Sequence, residues 1–148
     1  MANDAVLYTI GYQGRTATGL VGVLLEARVN LVVDIRSNPR SRKPGFSENA
    51  LNSLLQANGI RYIHMQGLGV PKPLRSQLRA DSNYPAFFAA YRRSLASHEQ
   101  ELLEVLRLAR VNSCSLLCYE CEPTKCHRSI LARAIQQADG NGMQIRHL

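Results

Sequence analysis

Short apolar runs, each closed by glycine, proline or polar residues, divide the chain into strand-like segments. Five such segments are predicted, at Val6–Ile10, Leu31–Ile35, Ile60–His64, Ser115–Tyr119 and Gln144–His147. Between them, apolar residues recur at the spacing of amphipathic helices. The alternation predicts one Rossmann-like α/β domain over residues 1–148, with a mostly parallel sheet and helices on both faces.

Capping residues and prolines set the expected helix bounds. Thr16 or Thr18 is a suitable N-cap for the first helix, and Ser47 for the second. Tyr84 and Pro85 open a long helical region that reaches about residue 110 and is expected to bend near residue 97, and the last helix runs from about residue 129 to 138. The proline-containing segments 36–45 and 66–83 are predicted to be loops.

Polar residues that the strand pattern does not explain cluster at the ends of the predicted strands. In an open parallel sheet, ligands bind beyond the carboxyl ends of the strands. The residues concerned are Gly11, Tyr12, Asp34, Arg36, His64 and Glu120. We therefore expect a site at this edge of the sheet.

Asp34 and Arg36 are two residues apart on one strand and so point to the same face. A carboxylate inside an apolar strand needs a partner, and Arg36 can supply a structural ion pair. The functional alternative makes Asp34 a general base or orienting group and Arg36 a clamp for phosphate or carboxylate.

The richest chemistry is predicted at Cys126, His127 and Arg128, where the last helix begins. The helix N-terminus favours negative charge, so a thiol there is expected to be acidic and nucleophilic. Arg128 and the helix N–H groups are also able to cradle a phosphate. Glu120 and His127 complete the candidate catalytic set.

The four cysteines lie within residues 114–126, which is typical of a local site or of reduced thiols. A zinc site, if present, would use Cys118, Cys121, Cys126 and His127, but adjacent Cys and His ligands argue against it. Packing in the core is the alternative for Cys114 and Cys118. We predict no metal, and no cofactor motif is found: a Walker loop, a dinucleotide glycine fingerprint and a Gly-x-Ser-x-Gly elbow are missing.

The positive charge is concentrated in one third of the chain. Residues 36–80 hold eight basic residues and one acid, Glu48. The net charge of this segment, +7, equals the net charge of the whole chain. The basic residues are Arg36, Arg40, Arg42, Lys43, Arg61, Lys72, Arg75 and Arg79. This asymmetry indicates an anionic small molecule or nucleic acid as partner, with a solvated basic surface as the alternative.

The apolar content and the first residues of the sequence bear on where in the cell the protein is expected. No apolar stretch approaches the roughly 20 residues of a membrane span, and the acidic start at Met1–Asp4 is unlike a secretory leader. A cytoplasmic protein without membrane partners is expected. The sequence does not determine the oligomeric state and is compatible with a homo-oligomer.

Together these segments resemble the DUF488 family of uncharacterised bacterial and archaeal domains. The resemblance is carried by residues 9–12, 33–37, 39–41, 44–47 and 60–64, and by Cys118-Tyr119-Glu120 with Pro123 and Cys126-His127-Arg128-Ser129. Cys121 departs from the family pattern. The resemblance implies the same α/β fold and strand-end site, but it implies no activity.

The leading hypothesis is an enzyme that acts on a phosphate-bearing nucleotide or nucleic acid. The basic segments 36–45, with Arg40, Arg42 and Lys43, and 67–80 would gather the anion. Arg36 and Arg128 would hold phosphate, and Cys126 is the candidate nucleophile. Strand-end carboxylates would also suit N-glycosidic hydrolysis. A non-enzymatic nucleic-acid-binding domain and a thiol or zinc-binding module are the alternatives.

Overall fold

The computed structural model describes residues 5–148, so the acidic Met1–Asp4 start lies outside the described residues. Five parallel strands form one sheet, in the order β3-β2-β4-β1-β5. The strands are β1 (Val6–Gly11), β2 (Leu31–Asp34), β3 (Arg61–His64), β4 (Cys114–Cys118) and β5 (Gln144–His147). The predicted α/β fold with a largely parallel sheet is confirmed.

Six α-helices connect and cover the strands within this range. They are α1 (Ala17–Glu26), α2 (Glu48–Ala57), α3 (Lys72–Asp81), α4 (Tyr84–Ser94), α5 (Glu99–Val111) and α6 (His127–Ala138). None of these helices combines the length and apolar character needed to cross a membrane.

The core lies in two layers, one on each face of the sheet. On one face, α1 and α2 contribute Leu20, Leu24 and Leu51. On the other face, α4, α5 and α6 contribute residues such as Tyr91 and Leu131. Each strand of the sheet interior therefore buries both of its faces, which explains why β2 and β4 are buried at every position.

The prediction of a loop over residues 66–83 is wrong in part. Gln66–Leu68 forms a 3₁₀ turn, and α3 occupies Lys72–Asp81. Pro73 is compatible with α3 because it lies in the first turn, where a backbone N–H would have no partner within the helix. The bend predicted near residue 97 is observed as a 3₁₀ turn at Leu95–His98 between α4 and α5.

The topology creates a crevice at the carboxyl edge of the sheet. Strands β2 and β4 are neighbours, yet β2 continues into α2 on one face and β4 continues into α6 on the other. The chain segments leaving these two strands therefore diverge, and such switch points are where open α/β sheets bind ligands.

Candidate active site

A cleft of about 390 Å³ opens at this crevice. That volume is within the range of roughly 300–1,000 Å³ typical of small-molecule sites. Its lining includes Tyr12, Arg36, Cys118, Glu120, Cys126 and His127. The structure therefore brings together residues from the ends of β1, β2 and β4 and from the start of α6.

Two thiols meet in the cleft. The Sγ atoms of Cys118, at the end of β4, and Cys126, before α6, are 2.6 Å apart. Cys126 is the N-cap of α6, and its Sγ accepts a hydrogen bond of 3.4 Å from the backbone N–H of Arg128. The N-cap position therefore places a sulfur where the helix stabilises negative charge.

The surroundings of the two sulfurs separate their acidities. Burial alone would raise the pKa of Cys126, but hydrogen bonds from Cys118, His127 and the Arg128 N–H outweigh burial and lower it well below the ordinary 9.0. Burial and the adjacent Cys126 raise the pKa of Cys118 well above that value, although Arg128 opposes the shift. These opposite shifts make Cys126 the more acidic thiol of the pair and favour Cys118 as the donor of the hydrogen bond between the two sulfurs.

His127 is held beside the sulfur of Cys126. Its Nδ1 lies 3.6 Å from Cys126 Sγ, and its Nε2 lies 3.2 Å from the carbonyl oxygen of Ile35. When Nε2–H donates to that carbonyl, Nδ1 faces the sulfur. The ring also packs edge-on against Tyr91, with centroids 5.0 Å apart. A protonated His127 can therefore pair with the thiolate or deliver a proton into the cleft.

Arg128 lies beneath the cleft and holds the turn after β4. Its side chain is fully buried. The guanidinium donates to the carbonyl oxygens of Glu120 and Cys121, to the Thr9 hydroxyl and to Cys118 Sγ. The sequence suggested Arg128 as a phosphate clamp, but in the structure its donors are directed at the protein itself.

Asp34 and Arg36 form the ion pair that their spacing allowed. Arg36 Nη2 lies 2.7 Å from Asp34 Oδ2, and Arg36 Nη1 donates to the carbonyl oxygen of Phe46. The hydroxyl of Tyr62 donates to the same carboxylate. Burial, together with Asp34, raises the pKa of Tyr62, so that hydroxyl remains a donor.

Asp34 has no exposed surface, whereas Arg36 borders the cleft. This placement favours an orienting role for Asp34 over direct contact with a ligand.

The remaining predicted ligand-binding residues are dispersed. Arg40 and Arg42 are exposed on the loop after β2. Lys43 donates to the carbonyl oxygen of Tyr12 and lies 5.1 Å from the Phe46 ring centroid. His64 Nε2 pairs with the carbonyl oxygen of Arg36 and so supports the end of β2.

Tyr12 and Gly11 differ in their access to the cleft. Tyr12 borders it and stacks on Phe46, with centroids 4.5 Å apart. Gly11 is instead packed against the backbone: an added Cβ would lie 1.9 Å from the carbonyl oxygen of Glu120. Gly11 thus sets the spacing between β1 and the turn after β4 and is not among the residues that line the cleft.

The cationic rim of the cleft includes two arginines of the basic segment 67–80, which the sequence predicted to gather an anion, and one lysine that the sequence did not assign to the site. Arg75 and Arg79 of α3 line the cleft, together with Lys125. Among the described residues, Arg75 Nε is a buried side-chain nitrogen without a hydrogen-bond partner. Spacing of four residues would have placed both arginines on one face of a helix, but α3 was predicted to be a loop.

The conditional zinc set does not assemble into a ligand cage. Cys121 is exposed, and its backbone N–H donates a hydrogen bond to Gln13 Oε1. Over residues 5–148, no group of three or more His, Cys, Asp or Glu side chains is arranged to hold a metal ion.

A comparison with protein families matches residues 17–135 to the domain of unknown function DUF488. The chain belongs to the DUF488 family. The matched range includes the Asp34–Arg36 pair and the Cys126–Arg128 turn of this DUF488 protein, whereas Gly11 and Tyr12 precede it. No curated protein and no solved structure matches the chain.

Proposed function

We propose that this DUF488 protein is an enzyme that uses the Cys126 thiolate on a phosphate-bearing nucleotide or nucleic acid. The observation that carries the proposal is a helix-capping cysteine inside a cleft with a cationic rim. Arg75, Arg79 and Lys125 border the same cleft as Cys126 and supply charge for an anionic substrate. The cleft size suits one nucleotide or the end of a longer chain.

The proposed reaction is a two-step displacement at phosphorus. Cys126 Sγ forms a bond to phosphorus, while the leaving oxygen departs with the bonding electron pair and takes a proton from protonated His127. Water then attacks phosphorus, giving a proton to Glu120, and sulfur leaves again as the thiolate. The positive end of the α6 dipole stabilises the charge that develops on the phosphoryl oxygens.

The test is release of inorganic phosphate from a panel of nucleoside mono-, di- and triphosphates and 5′-phosphorylated oligonucleotides. On the substrate that turns over, Cys126→Ser should lower kcat by about 10³-fold or more, because the nucleophile is lost. Glu120→Gln should lower it by about 10²-fold. Cys121→Ser is the matched control, since this thiol is exposed on the same turn. Unchanged turnover in Cys126→Ser would refute the proposal.

Nucleic-acid binding without turnover is the second candidate. It is favoured by exposed cations beyond the cleft, at Arg40, Arg42 and Lys72. Binding of a fluorescent oligonucleotide should then weaken steeply with salt, because each neutralised phosphate releases counterions. Arg40→Gln with Arg42→Gln should reduce both the affinity and the salt slope, whereas Arg133→Gln, an exposed arginine of α6, should not. In this case Cys126→Ser would leave binding intact.

A further inference from the structure

The two sulfurs of the cleft are both reduced and both buried. Cys118 and Cys126 are free thiols, with 1% and 4% exposure, and their Sγ atoms are 2.6 Å apart. This separation is about 0.5 Å longer than a disulfide bond. They are eight residues apart in the chain and are brought together by the turn between β4 and α6.

The other two cysteines lack this arrangement. Cys114 is fully buried in the core at the start of β4, and Cys121 is exposed. The close pair is therefore specific to the two thiols that border the cleft.

Positive charge and hydrogen-bond donors surround the pair. Arg128 Nη1 lies 3.1 Å from Cys118 Sγ, and the backbone N–H of Arg128 lies 3.4 Å from Cys126 Sγ. Each sulfur therefore has an Arg128 nitrogen directed at it, so Cys126 can attack as a thiolate, and Cys118 can follow once Cys126 no longer carries the charge. Thiolate character, access through a cleft and a neighbouring second thiol are the features of cysteines that react with peroxides.

We propose that Cys126 and Cys118 form a peroxide-reactive dithiol, in which Cys126 is oxidised by a hydroperoxide and Cys118 resolves it to a disulfide. This activity needs no phosphate-bearing substrate, so it stands apart from the proposed function.

Oxidation by a hydroperoxide takes place in two steps. The Cys126 thiolate attacks the terminal oxygen of the hydroperoxide, the O–O bond breaks, and the alkoxide leaves and takes up a proton. Cys126 is now a sulfenic acid. Cys118 sulfur then attacks Cys126 sulfur and displaces hydroxide, which leaves as water with the proton that Cys118 loses. Two electrons pass from the two thiols to the peroxide, and one disulfide remains.

The experiment treats the folded protein with one equivalent of hydrogen peroxide, blocks remaining thiols and digests with trypsin. Cleavage after Arg110, Lys125 and Arg128 isolates Cys126 in residues 126–128 and leaves the other three cysteines in residues 111–125. The proposal predicts a disulfide between these two peptides and the loss of two alkylatable thiols. In Cys114→Ala with Cys121→Ser, only Cys118 and Cys126 remain, so the link is assigned without ambiguity.

Single variants separate the two roles. Cys118→Ser should accumulate sulfenic acid on Cys126, which dimedone traps, and Cys126→Ser should show neither product. Cys121→Ser should behave as the wild type. The proposal is overturned if all four thiols of the wild type remain alkylatable, or if Cys121 is the residue linked to Cys126. Both outcomes are measured on the wild type, so neither depends on whether a variant folds. Because the readout is mass alone, a failed phosphate-release assay leaves this result unaffected.

Discussion

At the residue scale, Asp34 is a carboxylate without exposed surface that is satisfied by two other side chains. Arg36 Nε donates to both of its oxygens, at 2.9 and 3.1 Å, and the Tyr62 hydroxyl donates to Oδ2. Removing one charge from a buried pair leaves the other without compensation. The end of β2, and with it the border of the cleft, therefore depends on this carboxylate.

Asp34→Asn should consequently destabilise the fold. We expect the free energy of unfolding, measured by urea titration, to fall by about 3 kcal/mol, since the Arg36 guanidinium is left buried and unpaired. Glu104→Gln is the control, because its ion pair with Arg107 is at the surface; no measurable change is expected there. Equal effects in both variants would contradict the buried-pair interpretation.

Cys126 should show its lowered pKa as reactivity. Its thiolate persists as the pH falls below 9, so alkylation by iodoacetamide should stay fast from pH 9 to pH 7. In guanidinium-unfolded protein the rate should fall about tenfold per pH unit over the lower part of this range. Cys118→Ala removes a hydrogen bond to the thiolate and should shift the profile to higher pH.

The lowered pKa of Cys126 also makes the stability of the folded protein depend on pH. The folded-state pKa of Cys126 is depressed, so its ionisation contributes stability that is present above the unfolded pKa near 9. That contribution is lost as the pH falls through the folded-state pKa. Identical alkylation profiles for folded and unfolded protein would argue against a thiolate in the cleft.

At the element scale, α1 begins because one side chain caps it. Thr16 has an extended backbone, and its Oγ1 accepts a hydrogen bond of 3.0 Å from the N–H of Gly19. The sequence offered Thr16 and Thr18 equally. Thr18 is already inside the first turn and leaves the capping to Thr16.

Thr16→Ala should therefore cost about 1 kcal/mol in the free energy of unfolding, because an N–H of the first turn loses its partner. Thr18→Ala is the matched control and should change this free energy far less. Both are measured by chemical denaturation. A larger loss in Thr18→Ala would show that the cap has been assigned to the wrong threonine.

Helix α3 shows where local signals conflict. Pro71 and Pro73 read as loop signals, yet Leu74 and Leu78 pack onto the core and the helix forms behind its first-turn proline. Its two cleft-facing arginines become neighbours only once the helix exists. The contribution of Arg75 and Arg79 to the cationic rim therefore depends on the formation of α3 and not only on the number of charges in this segment.

At the scale of the whole molecule, the cleft depends on close approach between the ends of β1 and β4. Gly11 pairs with Cys118 in the sheet register, and the backbone N–H of Tyr12 donates to the carbonyl oxygen of Cys118. The space beside Gly11 is occupied by the Glu120 backbone and by Arg128 Nη1. A side chain at this position would force the two strand ends apart.

Gly11→Ala should destabilise the protein by about 2 kcal/mol or more, because the new methyl group would overlap backbone that cannot move freely. Gly22→Ala is the contrasting variant, since it lies in α1 with nothing within 4 Å of the added Cβ. It should stabilise by about 0.5–1 kcal/mol. Thermal and urea unfolding measure both; equal signs would contradict the close-approach argument.

Local chemistry determined much of this protein. Apolar periodicity specified the five strands and most helices, strand alternation put Asp34 and Arg36 on one face, and Ser47 marked the start of α2. These features depend on neighbours within a few residues, so the sequence contains all the information they need.

Only the tertiary structure decided which groups the cleft exposes. Arg128 lies beneath the cleft, and the Cys118 and Cys126 sulfurs are in contact, because the turn after β4 folds back over α6. Burial and partner distance set the charge of each group, and both depend on segments that are far apart in the chain. The sequence indicated the candidate site residues, and packing determined which of them line the cleft and which hold the protein together.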